Sequence, residues 1–157
     1  MGDTMEKSKE YYMKQALKEA QKAYDKEEIP IGTVIVKDGK IVARAYNLRE
    51  SKNSATAHSE ILAIEKACKK LNNWRLSGAE LYCTVEPCPM CAGAILNARL
   101  NKIYFGTYDK KSGAICSNIR LLDDEWCNHK TQYEGGILEE GCQKIMKDFF
   151  KKMRNRN

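Results

Sequence analysis

Between residues 8 and 24 the apolar side chains of Met13, Ala16, Leu17, Ala20 and Tyr24 recur at steps of three, one, three and four, which places them on one face of a helix. Pro30 closes the connection that follows. TVIVKDGKIVARAYN then sets two β-branched runs around Asp38-Gly39, a dipeptide suited to the positive φ angles of a type I′ turn, and predicts a hairpin. A polar loop, LRESKNSAT, leads to HSEILAIEKACKKL, where Ile61, Leu62, Ile64, Cys68 and Leu71 predict an amphipathic helix. AELYCTV is a short apolar run of strand type, PMCAGAILNARL is helical, and NKIYFGTYD is another strand. A loop containing glycine and an irregular segment precede ILEEGCQKIMKDFFKKMR, the last helix. It runs through Gly141 at a local cost of about 1 kcal/mol relative to alanine.

The order α, β, β, α, β, α, β, α predicts one mixed sheet between helices, an α/β sandwich of three layers. The first two strands are expected to be antiparallel, and the β-α-β units after them to cross over right-handed and pair in parallel. Open sheets of this kind place their sites at the carboxyl ends of strands and the starts of helices.

With 157 residues, 43% of them hydrophobic, the chain suits one domain over 1–157, its core at about 8–154, without disulfide staples. Seven cysteines (68, 83, 88, 91, 116, 127 and 142) is an odd number, which favours thiols for metal or packing over a disulfide framework. Cys68 and Cys142, within helical patterns, are expected as small buried hydrophobes. The N-terminal MGDTMEKSKEYY is charged and lacks an apolar h-region, and no apolar stretch approaches the roughly 20 residues of a membrane span. The expected address is the cytoplasm, with no membrane partner. The formal charge of +6 is uneven: from Gln143 onward, Lys144, Lys147, Lys151, Lys152, Arg154 and Arg156 face a single acid, Asp148. Such a helix suits a polyanionic partner, or merely its own dipole, and charge alone does not choose.

TVEPCPMCAGA narrows the field. Pro89 fits the first helical position, which makes Cys88 the N-cap and puts Cys91 one turn on, facing the same way. Both sulfurs then sit where the helix dipole favours thiolate. Such a pair serves redox chemistry or half a metal site, and without thioredoxin-type surroundings metal is the better reading. Of the two histidines, His58 begins the helix preceding the strand that leads into PCPMC, while His129 lies in the irregular segment. Glu60, two residues after His58, is either an acid favoured in a first helical turn or a carboxylate beside an open metal position that can move the proton of a bound water. H-x-E followed by P-C-x-x-C is the signature of zinc-dependent nucleobase deaminases.

The runs TAHSEILAI, LNNWRL and VEPCPMCAGAILNARL resemble the bacterial tRNA-specific adenosine deaminases. So do YYMKQALKEAQKAYDKEEIPIGTVIVKDG near the start, and FGTYDKKSGA, NHK and the GGILEEGC–DFF region later. The likeness covers residues 8 to 154. It implies the cytidine deaminase-like fold, a three-layer α/β/α sandwich with a mixed five-stranded sheet. It also implies Zn2+, one per subunit, on His58, Cys88 and Cys91. Glu60 is then the proton shuttle for attack at C6 of the wobble adenosine in a tRNA anticodon, and the expected substrate is the arginine tRNA with anticodon ACG. Asn47, a turn residue on pattern alone, corresponds to an asparagine that hydrogen-bonds the target nucleotide. Ile29 and Val85 fall where the family walls the base pocket, and Asp109 and Lys110 where it meets flanking nucleotides. Phe149 falls on the helix that helps hold the anticodon stem-loop, although one of Phe149 and Phe150 is expected in the core. A homodimer with RNA touching both subunits is implied as well. Ser59 departs from a common alanine, and Ala45-Tyr46 and DDEWCNHK are less typical.

Two other readings compete. A zinc deaminase of a free base or nucleoside, guanine or cytidine, shares the motif but has no need of NWRL, CAGAILNARL or the basic helix. A non-catalytic zinc-stabilised RNA-binding module needs a fourth protein ligand and has no use for Glu60.

Overall fold

A computed structural model describes residues 7–156. The first six residues, part of the charged N-terminal stretch considered above, and Asn157, the last residue of the expected domain, lie outside the described residues. Helix α1 (Lys9–Asp25) begins where the Ser8 hydroxyl accepts the Tyr11 amide at 3.1 Å, and it buries Met13, Ala16 and Ala20 as its spacing requires. Strands β1 (Gly32–Lys37) and β2 (Lys40–Tyr46) form the hairpin. Its turn residues Asp38 and Gly39 have φ of 51° and 75°, as a type I′ turn demands. Helix α2 (Ser59–Leu71), β3 (Ala79–Val85), α3 (Pro89–Asn97) and β4 (Lys102–Thr107) follow in the expected order. The irregular segment contains a single 3-10 turn, Leu121–Asp123, and a short strand, β5 (Gln132–Glu134), before α4 (Glu139–Arg154).

The sheet runs β2-β1-β3-β4-β5. Pairing is antiparallel between β1 and β2 and between β1 and β3, and parallel from β3 to β4 to β5. The expectation of parallel pairing thus holds for β3 and β4 but not for the unit β2-α2-β3, whose strands are separated by β1. The cause is burial. Strand β1 is covered almost throughout and needs a neighbour on each side, whereas β2 carries part-exposed positions that suit an edge.

Helices α1 and α4 cover one face of the sheet, α2 and α3 the other. Alternation along β1 divides the core. Ile35 joins Leu81, Ile95 and Ile103 beneath α2 and α3, while Val34 and Val36 meet Met13 and Tyr82 beneath α1. Each fully buried aliphatic side chain of this kind contributes about 1.5–3 kcal/mol. Cys142 is buried as expected, but Cys68 is only half-buried, its thiol 3.6 Å from the Trp74 carbonyl. All seven cysteines are free, and no helix among the described residues is long and apolar enough to cross a membrane. The ends that matter for chemistry, the exits of β2, β3 and β4 and the starts of α2 and α3, gather at one end of the strands.

Candidate active site

His58 is the N-cap of α2 and Cys88 the N-cap of α3, with Pro89 in the following position. Both have extended backbone, and neither side chain caps its own helix. They turn toward each other instead. His58 Nδ1 lies 3.7 Å from Cys88 Sγ and 3.6 Å from Cys91 Sγ, and the donor atoms of the three all lie within 4.8 Å of one another. A tetrahedral zinc with Zn–S near 2.3 Å and Zn–N near 2.0–2.1 Å would hold S and N about 3.5 Å apart, so the donor set fits zinc. The Cys91 thiol and then His58 draw the Cys88 thiol down to about 4, against burial. Cys91 is pushed up by Cys88 beside it and by burial. A cation held there would let both thiols ionise together. His129 is elsewhere, its Nε2 2.8 Å from the Leu100 carbonyl at the α3–β4 connection.

Glu60 is buried in the first turn of α2 and reaches the same pocket. Burial pushes its carboxyl above the ordinary range, the direction a group needs if it is to hold a proton near neutrality. The hydroxyl of Ser59 donates to Oε1 of Glu60 at 3.0 Å and lies 2.8 Å from the Thr33 hydroxyl. Ser59 therefore holds one oxygen of the carboxylate from behind.

The pocket, a cavity of about 630 Å³, brings together Ile29, Asn47, His58, Glu60, Val85, Cys88, Asp109 and Lys110 from the sequence-derived set. Asn47 spends one N–H on the Ile29 carbonyl (3.2 Å) and one lone pair on the Arg49 amide (3.2 Å). Half of its amide capacity is left for a ligand. Phe149 is not brought in. It is 4% exposed and packs edge-on against Tyr24 of α1 at 5.9 Å, whereas Phe150, 41% exposed, lines the pocket. The correction follows from helix geometry: successive residues point about 100° apart, and α4 needs an apolar anchor against α1.

Lys147 and Phe150 of the basic helix also line the pocket, as do Arg49, Tyr108 and Lys111, which the sequence does not single out. A basic groove, in which Lys111, Lys147, Lys151 and Arg154 outnumber the one acid Asp148 and Phe150, Met146 and Met153 supply apolar wall, adjoins it along α4. Two buried carboxylates hold its rims. Glu28 accepts the amides of Glu50 and Ser51. Burial opposes its charge, but the Ser51 and Glu50 bonds outweigh burial and keep the carboxyl below its ordinary range. Glu86 does the same for the loop after β4: burial is again outweighed, here by bonds from Cys116, Ser117 and Asp109.

Comparisons with known proteins agree with this geometry. The family model for MafB19-like deaminases matches residues 7–154. A tRNA-specific adenosine deaminase of Bacillus subtilis (strain 168) is 49% identical over 147 residues, 94% of this chain and 91% of that protein. One from Aquifex aeolicus is 45% identical, over 94% and 97%. A solved structure from work on A-to-I editing by tRNA:A34 deaminases superposes with a TM-score of 0.83 at 42% identity, covering 86% of this chain and 98% of that one. It shows the cytidine deaminase-like fold with its mixed five-stranded sheet. A guanine deaminase structure from Bacillus subtilis is 40% identical, but over only 65% of this chain and 66% of its own, with a TM-score of 0.62. On identity and coverage together, the chain belongs to the tRNA-specific adenosine deaminase family.

Proposed function

We propose that this chain, acting as a single deaminase domain, hydrolyses the wobble adenosine of a tRNA anticodon to inosine. The observation that carries the reading is two adjoining pockets that share Lys111, Met146, Lys147 and Phe150 in their walls. His58, Cys88 and Glu60, with Cys91 buried behind them, line a pocket fit for a purine, and beside it along α4 lies a pocket lined by Lys111, Lys147, Lys151, Arg154 and Phe150. A free base needs only the first pocket. The arginine tRNA with anticodon ACG is the expected substrate.

His58, Cys88 and Cys91 would hold zinc, which when bound lowers the pKa of a water to about 7 and so supplies hydroxide at neutral pH. Glu60 takes the proton of that water and delivers it to N1 of the adenine, making C6 the electrophilic centre. It then passes the second proton to the departing amine, so that water and adenosine become inosine and ammonia. Ser59 fixes Oε1 of Glu60, which leaves Oε2 for the transfer. Ile29 and Val85 wall the flipped base, replacing the stacking it gives up on leaving the loop. The free N–H and lone pair of Asn47 meet its edge. Lys110, Lys111, Lys147 and Lys151 lie where flanking phosphates pass, and Phe150 offers a stacking face.

The same reading includes a homodimer. Away from the pocket, the exposed large apolar side chains Trp74, Met90, Ile119 and Trp126 all lie on α3 or on segments packed against the α2/α3 face, and an exposed apolar side of this kind is what a second copy would cover. A tRNA substrate and seven free thiols favour the cytoplasm.

The test is ammonia release from an anticodon stem-loop with adenosine at the wobble position, beside free adenosine, cytidine and guanine. Release from the stem-loop alone is expected. Release from guanine or cytidine with the stem-loop intact would replace this reading with that of a free-base deaminase.

A further inference from the structure

Glu86 shares the pocket with Glu60 and is as thoroughly buried, yet its carboxylate is already filled. Its Oε1 accepts the Asp109 amide at 3.1 Å and the Ser117 hydroxyl. Its Oε2 accepts the amides of Ile115 (3.1 Å), Cys116 (2.8 Å) and Ser117 (2.9 Å). A carboxylate offers about four lone-pair sites, so these donors leave nothing for a proton in transit or for a substrate. The close approach depends on Gly113, where a Cβ would collide with the Glu86 carboxylate. Five bonds to a charged acceptor are more than packing asks of a buried acid, and they all come from one loop.

That loop carries Lys110, Lys111 and Ser112 into the pocket lining, exposed to solvent. Its own acid, Asp109, is taken up internally by the amides of Lys111 and Ser112 at 3.0 and 3.2 Å. No other side chain among the described residues of the pocket grips the loop by so many bonds.

We propose that Glu86 is a positioning residue. By gathering the amides of Asp109 and of Ile115 to Ser117, it fixes the loop so that Lys110 and Lys111 meet the RNA backbone already arranged. Ordering the loop before the substrate arrives removes that entropy cost from binding. The inference rests on the RNA reading above and extends it. It also divides the pocket's two buried glutamates: Glu60 moves protons, and Glu86 holds the rim.

Glu86→Gln keeps the side chain's shape but turns an amide NH2 toward N–H donors. Hydrogen exchange at the amides of 109 and 115–117 is expected to accelerate while the sheet keeps its protection. KM for the stem-loop should rise on the order of tenfold, the scale of losing a charged hydrogen bond, with kcat and metal content little changed. A purely structural role would instead lower the active fraction, reducing kcat at constant KM. If Glu86→Gln does not fold, Gly113→Ala and Ser117→Ala disturb the same contacts while leaving the Glu86 residue itself unreplaced, and the same KM rise is expected. Unchanged exchange at these amides, or a fall in kcat at constant KM, overturns the role of Glu86. A wild-type chain inert on the stem-loop defeats the RNA reading separately, because amide exchange needs no substrate.

Discussion

His58 Nδ1 stands 3.7 Å from Cys88 Sγ although 30 residues separate them. Each is the N-cap residue of its own helix, and each turns its side chain toward the other. Two helix starts brought to one end of the strands thus supply a donor set for a soft divalent cation, with Glu60 in the first turn of α2.

Cys88→Ser or Cys91→Ser is expected to abolish bound zinc and activity together, and a strong chelator should do the same to the wild type, reversibly on adding zinc back. Metal content by atomic emission, beside deamination, checks this. Full activity in a metal-free sample contradicts it.

Glu60→Ala should retain zinc and bind the stem-loop while deamination falls by about 10²–10⁴, the range of a lost general acid–base group. Single-turnover rates at saturating enzyme make the measurement. An undiminished rate would remove Glu60 from the proton path.

The lysines of α4 should separate into two kinds. Lys147 and Lys151 line the basic groove, whereas Lys152 sits 4.9 Å over the Tyr24 ring on the α1 side. Neutralising Lys147 and Lys151 should weaken RNA binding and reduce the slope of log K against log salt by about 0.7 for each phosphate no longer neutralised. Lys152→Ala should leave that slope alone. Equal effects from both would mean that the groove is not the RNA track.

Phe149 and Phe150 offer a matched contrast, one against Tyr24 and the other at the pocket. Phe149→Ala should cost about 3–5 kcal/mol of stability. Phe150→Ala should leave the melting temperature nearly unchanged and cost about 1–3 kcal/mol of RNA affinity if a base stacks there. Thermal melts and binding isotherms on both variants decide it.

Glu28 sets a pH dependence. Its carboxyl is held below the ordinary value of 4.5 in the folded chain, so the stability it contributes is fully present above that value and is lost as pH falls through the lower, folded one. Wild type should exceed Glu28→Gln by about 1.5–3 kcal/mol at neutral pH, and the gap should close below pH 4.5. A gap constant down to strong acid would show that the carboxylate charge is not what holds the 48–54 loop.

Long periodic segments were legible in the sequence. The spacing from Met13 to Tyr24 gives α1 nearly to its ends, and Asp38-Gly39 gives the hairpin turn. Strand β5 escaped because three residues cannot display a period, and the place of β1 between β2 and β3 escaped because pattern carries burial but not neighbours. In the site, the motif residues were legible because their chemistry is unusual at that spacing. Arg49, Tyr108 and Lys111 were not, since loop residues follow no period and reach the pocket only through the fold. Glu86 left one signal that could have been read: a lone acid closing the apolar run LYCTV just before the cysteine pair.

The most direct test of the central claim is to incubate the chain with a full-length tRNA bearing an ACG anticodon and map inosine by nucleoside-resolved mass spectrometry. A second tRNA with the wobble adenosine replaced runs alongside. Inosine is expected at the wobble position alone, with none in the replaced tRNA and no turnover of free guanine or cytidine. Ammonia from a free base with both tRNAs unaltered would keep the zinc chemistry and contradict the substrate.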